Sequence, residues 1–180
     1  AAALRADCAG IRHWCAFDAD DATHDLIGFA PAAAALPPMP LVSQADAGDV
    51  IRLAYTGGTT GRPKGVMLSN RAVVTQALLM LAARDLPRDI CFLCPTPISH
   101  GAGALIVPCL WRGGTLVLQQ GFDPARFLDA LEQHRATLTF LVPTMVYALL
   151  DHPGLRTRDL SSLQALMYGA APMAPARIAE

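Results

Sequence analysis

Lys64 is the only lysine of the chain; the other 13 of its 14 basic residues are arginines. A sequence that uses arginine almost everywhere yet keeps one lysine inside a Gly/Thr loop points to a task for a compact, mobile point charge, which the planar guanidinium fork performs poorly. That loop lies in Leu53-Ala-Tyr-Thr-Gly-Gly-Thr-Thr-Gly-Arg-Pro-Lys-Gly-Val66. Gly57, Gly58 and Gly61 let the backbone approach a ligand closely and aim successive N–H groups at it. The hydroxyls of Thr56, Thr59 and Thr60 add donors, and Lys64 adds charge. Together these parts suit a polyphosphate. A Walker A loop is excluded, because that motif follows its lysine with Ser or Thr, whereas Lys64 lies between Pro63 and Gly65. Pro63 also disfavours helix at Arg62, so this loop is expected to join two strands.

Other residues with chemical potential carry weaker signals. His100 sits in Pro95-Thr-Pro-Ile-Ser-His-Gly-Ala-Gly103; taken alone, a histidine between a strand and a helix is more often an ordinary loop residue. Cys91 and Cys94 have the spacing of a redox or zinc half-site, but they lie in an apolar run ending at Pro95, with no second pair. They read as small buried hydrophobes. Cys8, His13 and Cys15 make a weaker zinc case still. His100-Gly-Ala-Gly103 is similar to the oxyanion loop of esterases, but the G-x-S-x-G nucleophile elbow that such enzymes need is missing. Gly101-Ala-Gly103 begins a dinucleotide fingerprint that fails at Ile106, and the strand at Thr115–Leu118 runs into Gln119-Gln120 with no acid for a ribose.

The elements that position these residues follow from the pattern. A short strand is expected around Ile11–Phe17, then an acidic turn at Asp18–Asp21, and a helix from about His24 to Ala35. The Pro-dense stretch Ala30–Pro40 reads as a helix end running into a connector. This divides the chain into residues 1–45, the end of a preceding α/β segment plus connector, and residues 46–180. Val50–Tyr55 and Val66–Leu68 read as strands flanking the Gly/Thr loop. Ser69 or Asn70 can cap a helix whose apolar face holds Val74, Ala77, Leu78 and Leu81. Four β-α units follow: strands Cys91–Cys94, Thr115–Leu118, Thr139–Val142 and Leu163–Tyr168, with helices Gly101–Trp111, one opened by Asp123-Pro124, Pro143–Leu150, and one from Ala174. Alternating apolar strands and helices imply an α/β fold with a largely parallel sheet covered on both faces. In such sheets ligands bind at the carboxyl ends of strands, so chemistry belongs in the loops after Tyr55, Pro95 and Tyr168.

Composition narrows the class. Of 180 residues, 53% are hydrophobic and 16% charged, and the net charge is -1. That is enough apolar material for a core, and it argues against a disordered tail. With no basic excess, binding nucleic acid through bulk charge is excluded. The longest apolar run, Gly101–Trp111, is interrupted by Pro108 and too short to span a bilayer. Five cysteines in no regular framework fit a reducing cytoplasm. The chain starts at Ala and ends on Ala-Arg-Ile-Ala-Glu without a C-cap, as expected of a piece of a longer protein.

The Gly/Thr stretch resembles the phosphate-binding signature of the adenylate-forming superfamily, usually Y-T-S-G-T-T-G-x-P-K-G-V, with Gly57 where Ser is common. Pro95–Gly103 is similar to that family's P-L-x-H-x-x-G segment, and Met167-Tyr-Gly-Ala-Ala-Pro-Met173 to its G-G/A-A-P-L loop. The three stretches occur in the family's order, from about Asp49 onward. The resemblance implies that Thr56, Gly57, Gly58, Thr59, Thr60, Gly61 and Lys64 hold the β- and γ-phosphates of ATP, with Lys64, Thr59 and Thr60 acting in catalysis. It places Gly169, Ala170, Ala171 and Pro172 against the adenine, and His100 and Gly169 against the acyl group. It implies ATP, Mg2+ and coenzyme A as co-substrates or cofactors, and a small carboxylic acid as substrate, a fatty acid before an aryl acid. The reaction is activation of the acid to acyl-AMP, then transfer to the thiol. No metal ligand is assigned within these 180 residues, because the Y-G-x-T-E segment is absent: Ala-Ala-Pro follows Tyr168-Gly169. A non-catalytic nucleotide-binding module is the rival of a different class.

Overall fold

The computed structural model describes residues 8, 10–11, 14–16, 27–37, 44–56 and 63–179. The chain divides into two compact units, Ala1–Gln44 and Ala45–Glu180. In the first, β1 (Cys15–Ala16) pairs in parallel with β2 (Ile27–Gly28), and α1 (Phe29–Ala34) follows at once. The helix expected from His24 is thereby corrected: Ile27 and Gly28 are strand, and helix begins only at Phe29, with Pro31 in its first turn where a missing N–H is tolerated. Residues 17–26, with the acidic turn, lie outside the described residues.

The second unit opens with a hairpin. β3 (Val50–Thr56) and β4 (Lys64–Ser69) pair antiparallel, from Val50 opposite Ser69 to Thr56 opposite Lys64, with one irregularity between Val50 and Arg52. The pair forms a two-stranded sheet of its own. α2 (Asn70–Ala83) starts where Ser69 Oγ accepts the Ala72 N–H at 3.2 Å. Its sequence is apolar nearly all round, so the pattern alone selects no face. Of the expected stripe, Ala77 is buried and Leu81 packs on the core, whereas Val74 and Leu78 are exposed.

The rest is a four-stranded parallel sheet in the order β6 (Thr115–Leu118), β5 (Cys91–Cys94), β7 (Leu138–Leu141), β8 (Ala165–Tyr168). Between β5 and β6 the chain passes through a 3₁₀ turn, Gly101–Leu105, and α3 (Ile106–Trp111). The expected continuous helix Gly101–Trp111 is therefore split. Beginning the α-helix at Ile106 leaves Pro108 in its first turn, where no intrahelical N–H is needed. α4 (Pro124–His134) is capped by Asp123, whose Oδ1 accepts the Arg126 N–H at 2.9 Å. α5 (Pro143–Leu150) links β7 to β8, and α6 (Pro175–Ile178) follows β8.

Strand alternation sorts the core into two faces. Phe92, Cys94 and Leu138 point to the side of α2 and α3, with Leu105 and Cys109. Leu93 and Leu141 point to the side of α4 and α5, with Phe127, Leu128, Leu131, Val146 and Leu149. Thr139, fully buried, donates its hydroxyl proton to the Leu93 carbonyl at 2.9 Å. Because β6 lies on one flank of β5 and β7 on the other, the chain reverses its winding direction between β5 and β7. That reversal opens a crevice at the carboxyl ends of these two strands.

Candidate functional site

Thr56 and Lys64 form the last register pair of the hairpin. Gly57, Gly58, Thr59, Thr60 and Gly61, which complete the expected phosphate loop, lie outside the described residues. Lys64 is exposed on β4, two residues after Arg62 and directly before Gly65. A lysine so placed keeps its full side-chain reach, as a mobile charge requires.

The loop after β5 is built more tightly. His100 donates its backbone N–H to the Pro97 carbonyl at 3.3 Å, and its own carbonyl accepts from Gly103 at 3.0 Å. A Cβ at Gly103 would collide with the Ile98 carbonyl, so only glycine closes this turn. The His100 ring is exposed, its Nδ1 lying 3.2 Å from Ser99 Oγ. The Ser99 carbonyl accepts a hydrogen bond from Arg52 Nη2 at 2.9 Å. Arg52 thereby ties the hairpin to the histidine loop. Both residues line a groove of about 1100 Å³ that is also bordered by Tyr55, Ser69, Gly101 and Leu79; Lys64 is not among its lining residues.

The loop after β8 approaches the same region. Gly169 donates its N–H to Leu141 O at 3.3 Å, extending the β7–β8 ladder by one bond. Ala170 follows at φ 70°, a left-handed conformation uncommon for a residue with a Cβ and a recurrent mark of functional loops. Ala170, Ala171 and Pro172 are exposed. The link between the two loops is Phe140 on β7. A Cβ built on Gly101 would lie 3.2 Å from the Phe140 ring, and one on Gly169 3.3 Å from the same ring atom. The structure thus sets Gly101 and Gly169 against one aromatic ring at the carboxyl end of the sheet. Phe140 and Arg52 escape sequence reasoning. An apolar strand residue reads as core, and the only sign at Arg52 is a charge inside an otherwise uncharged strand.

Cysteine chemistry fits poorly here. Burial pushes the Cys91 thiol above its ordinary range, and burial together with the neighbouring Cys91 does the same to Cys109. Thiolate character, needed for nucleophilic or metal-binding cysteines, is disfavoured at both. Among the described residues, no group of three or more His, Cys, Asp or Glu side chains is placed to hold a metal ion. Two carboxylates are already engaged by the backbone: Asp49 Oδ2 accepts the Asp46 N–H at 2.7 Å, and Asp123 caps α4. The residues described here do not form a magnesium site.

Comparison with known proteins decides the family. The AMP-binding enzyme family matches residues 6–180. The chain belongs to that family. The match reaches back well before Asp49, where the recognisable motifs begin. A medium/long-chain-fatty-acid–CoA ligase, FadD8 of Mycobacterium tuberculosis, is 44% identical over 162 residues, covering 89% of this chain and 28% of that protein. A feruloyl-CoA synthase of Amycolatopsis is 45% identical over 133 residues, covering 73% of this chain and 27% of that protein. Among solved structures, the amide bond synthetase McbA of Marinactinospora thermotolerans is 39% identical with a TM-score of 0.73, over 81% of this chain and 30% of that one. The chain thus spans under a third of the length of each of these AMP-binding relatives.

Proposed function

We propose that this chain is the nucleotide-binding part of a longer acid-activating ligase, with residues 46–180 as an AMP-binding subdomain and residues 1–45 as the end of a preceding segment. In the reaction a carboxylate oxygen attacks the α-phosphorus of ATP. The bond to the β-phosphate oxygen breaks, and pyrophosphate leaves with its electron pair. A thiolate, that of coenzyme A, then attacks the acyl carbon and expels AMP. Catalysis rests on placing the reactants and stabilising charge, with no covalent enzyme intermediate.

The observation that carries this reading is the shared contact of Gly101 and Gly169 with Phe140. It draws together the two loops which, by their motifs, would meet the acyl group and the adenine. In this reading His100 and Gly169 border the acyl group, and Ala170, Ala171 and Pro172 border the adenine. Thr56, Gly57, Gly58, Thr59, Thr60, Gly61 and Lys64 take the β- and γ-phosphates, and Lys64 stabilises the departing pyrophosphate. Magnesium, which the resemblance implies, would neutralise phosphate charge when bound. A fatty acid is the preferred substrate, supported by the 44% identity to the fatty-acid–CoA ligase. An aryl acid is the second reading, supported by 45% identity to the feruloyl-CoA synthase over a shorter stretch. A cytoplasmic location agrees with five free thiols.

The test is acid-dependent exchange of labelled pyrophosphate into ATP by the complete protein, with a panel of fatty and aryl acids, followed by thioester formation with coenzyme A. Exchange with one acid class and thioester with the same class is the expected outcome. ATP binding without exchange for any acid would replace this reading with the non-catalytic nucleotide module.

A further inference from the structure

We infer that Tyr147, with Arg177 and Asp151, is a positioning device that fixes the Gly169–Ala174 loop; the inference rests on the nucleotide-binding role proposed for that loop. Four contacts converge on this point. Tyr147, on α5, accepts the Ala174 N–H at its phenolic oxygen at 2.8 Å. Arg177, on α6, donates from Nη2 to Asp151 Oδ1 at 2.7 Å and to the Tyr147 carbonyl at 3.3 Å. Its guanidinium carbon also lies 5.3 Å from the centre of the Tyr147 ring, a cation–π contact. Asp151 closes α5, so the arginine also meets the negative end of that helix.

The loop is therefore fastened at both ends. At its start the Gly169 N–H bonds to Leu141 O, and at its end the Ala174 N–H bonds to Tyr147, with Met173 packed on the α4–α5 side of the core. Between the fastenings, Ala170 sits at φ 70° and Ala170, Ala171 and Pro172 stay exposed. A residue in an unfavourable backbone region persists only where its surroundings over-determine it. An isolated polar contact to an exposed loop would not supply that constraint. A hydrogen bond, an ion pair and a ring contact sharing the same two side chains do. Tyr147 need touch no substrate. It acts through the loop, by holding in place the backbone that would border the nucleotide.

The experiment is Tyr147→Phe in the complete protein, which removes the phenolic oxygen and keeps the ring under Arg177. Hydrogen exchange at the Ala174 amide should quicken about tenfold, and the KM for ATP in acid-dependent pyrophosphate exchange should rise about three- to tenfold, the range one hydrogen bond commands. The KM for the acid and the kcat should move less than twofold. Leu149→Ala, in the same helix but facing the core, is the structural control: it should lower the unfolding temperature and leave the KM for ATP unchanged. An unchanged KM for ATP in Tyr147→Phe, with wild-type exchange intact, overturns the positioning role alone. The same holds if Leu149→Ala raises that KM equally. A wild-type protein with no acid-dependent exchange overturns instead the functional reading on which the inference rests.

Discussion

The parallel sheet and the β3–β4 hairpin are built from similarly apolar sequence, yet their surroundings differ. Phe92 and Leu93 on β5 are 0% exposed, whereas Tyr55 on β3 and Met67 on β4 are 68% and 70% exposed. The sheet holds the His100 and Gly169 loops through a core packed on both faces. The hairpin holds Lys64 through its own backbone ladder, with Arg52 reaching across to Ser99. The sheet is thus the buried part of this unit and the hairpin the exposed one. Substitutions in the sheet should act first on folding, and those in the hairpin on turnover.

The largest effect should come from the sheet. Phe92→Ala removes a ring buried among Leu105, Cys109 and Leu138, at a cost of about 3–5 kcal/mol. Met67→Ala on the exposed hairpin should stay within about 0.5 kcal/mol. Urea unfolding of the two variants beside the unaltered chain checks the contrast, and equal losses would break it.

Lys64→Ala reverses the comparison. Lys64 is exposed, so unfolding should not change. If it stabilises charge on the leaving pyrophosphate, adenylation should slow by about 2–4 kcal/mol of barrier, the range for one electrostatic donor. Timing adenylation and thioester formation separately in the complete protein checks this. Equal slowing of both half-reactions would remove the pyrophosphate role.

His100→Ala should act between the two. His100 lines the groove from a loop closed by Gly103 and tied to Arg52 through Ser99. The preference among carboxylic acids should shift, while the affinity for ATP stays within about threefold, because no phosphate donor is lost. Weakened ATP binding with an unaltered acid profile would contradict the acyl-side position.

Much of this arrangement was legible in the sequence, for physical reasons. Cys91–Cys94 and Thr115–Leu118 stand out as strands because apolar residues fill both faces, and Asp123-Pro124 marks a helix start through its side-chain cap. The strands flanking the Gly/Thr stretch are legible too, because Pro63 disfavours helix before it and β-branched and apolar residues alternate on either side; Val50–Thr56 and Lys64–Ser69 pair as an antiparallel hairpin. What escaped has the opposite character. Ile27–Gly28 was absorbed into an alanine-rich helical window, although a parallel partner at Cys15–Ala16 overrides local propensity. Phe140 and Tyr147 look like core residues in apolar segments. Their importance lies in which glycine or amide they meet across the fold, and no local pattern records that.

The smallest expected effect tests the sheet side at its rim. Glu132 on α4 accepts the Asp159 N–H at 2.7 Å and the Arg158 guanidinium at 2.7 Å, and Asp129 takes the other guanidinium nitrogen at 2.6 Å. These contacts, first the backbone N–H of Asp159 and then Arg158, hold the Glu132 carboxyl below its ordinary value of 4.5. Asp159 is lowered in turn, chiefly by hydrogen bonds from Ser161. A carboxylate whose folded pKa is depressed adds stability that is complete above the unfolded value and disappears as pH falls through the folded one. Glu132→Gln removes the charge while keeping the shape, so the variant should unfold at a lower temperature than the parent chain at neutral pH. Solvent screens the site, which keeps that gap small. The gap should hold down to about pH 5 and close progressively below it, as the parent protonates and comes to resemble the variant. Thermal unfolding of both chains between pH 3 and pH 7 reads the closure directly. A gap that persists unchanged to pH 3 would mean that Glu132 acts through its shape and not its charge, and the rim would then join the buried sheet as a packing feature.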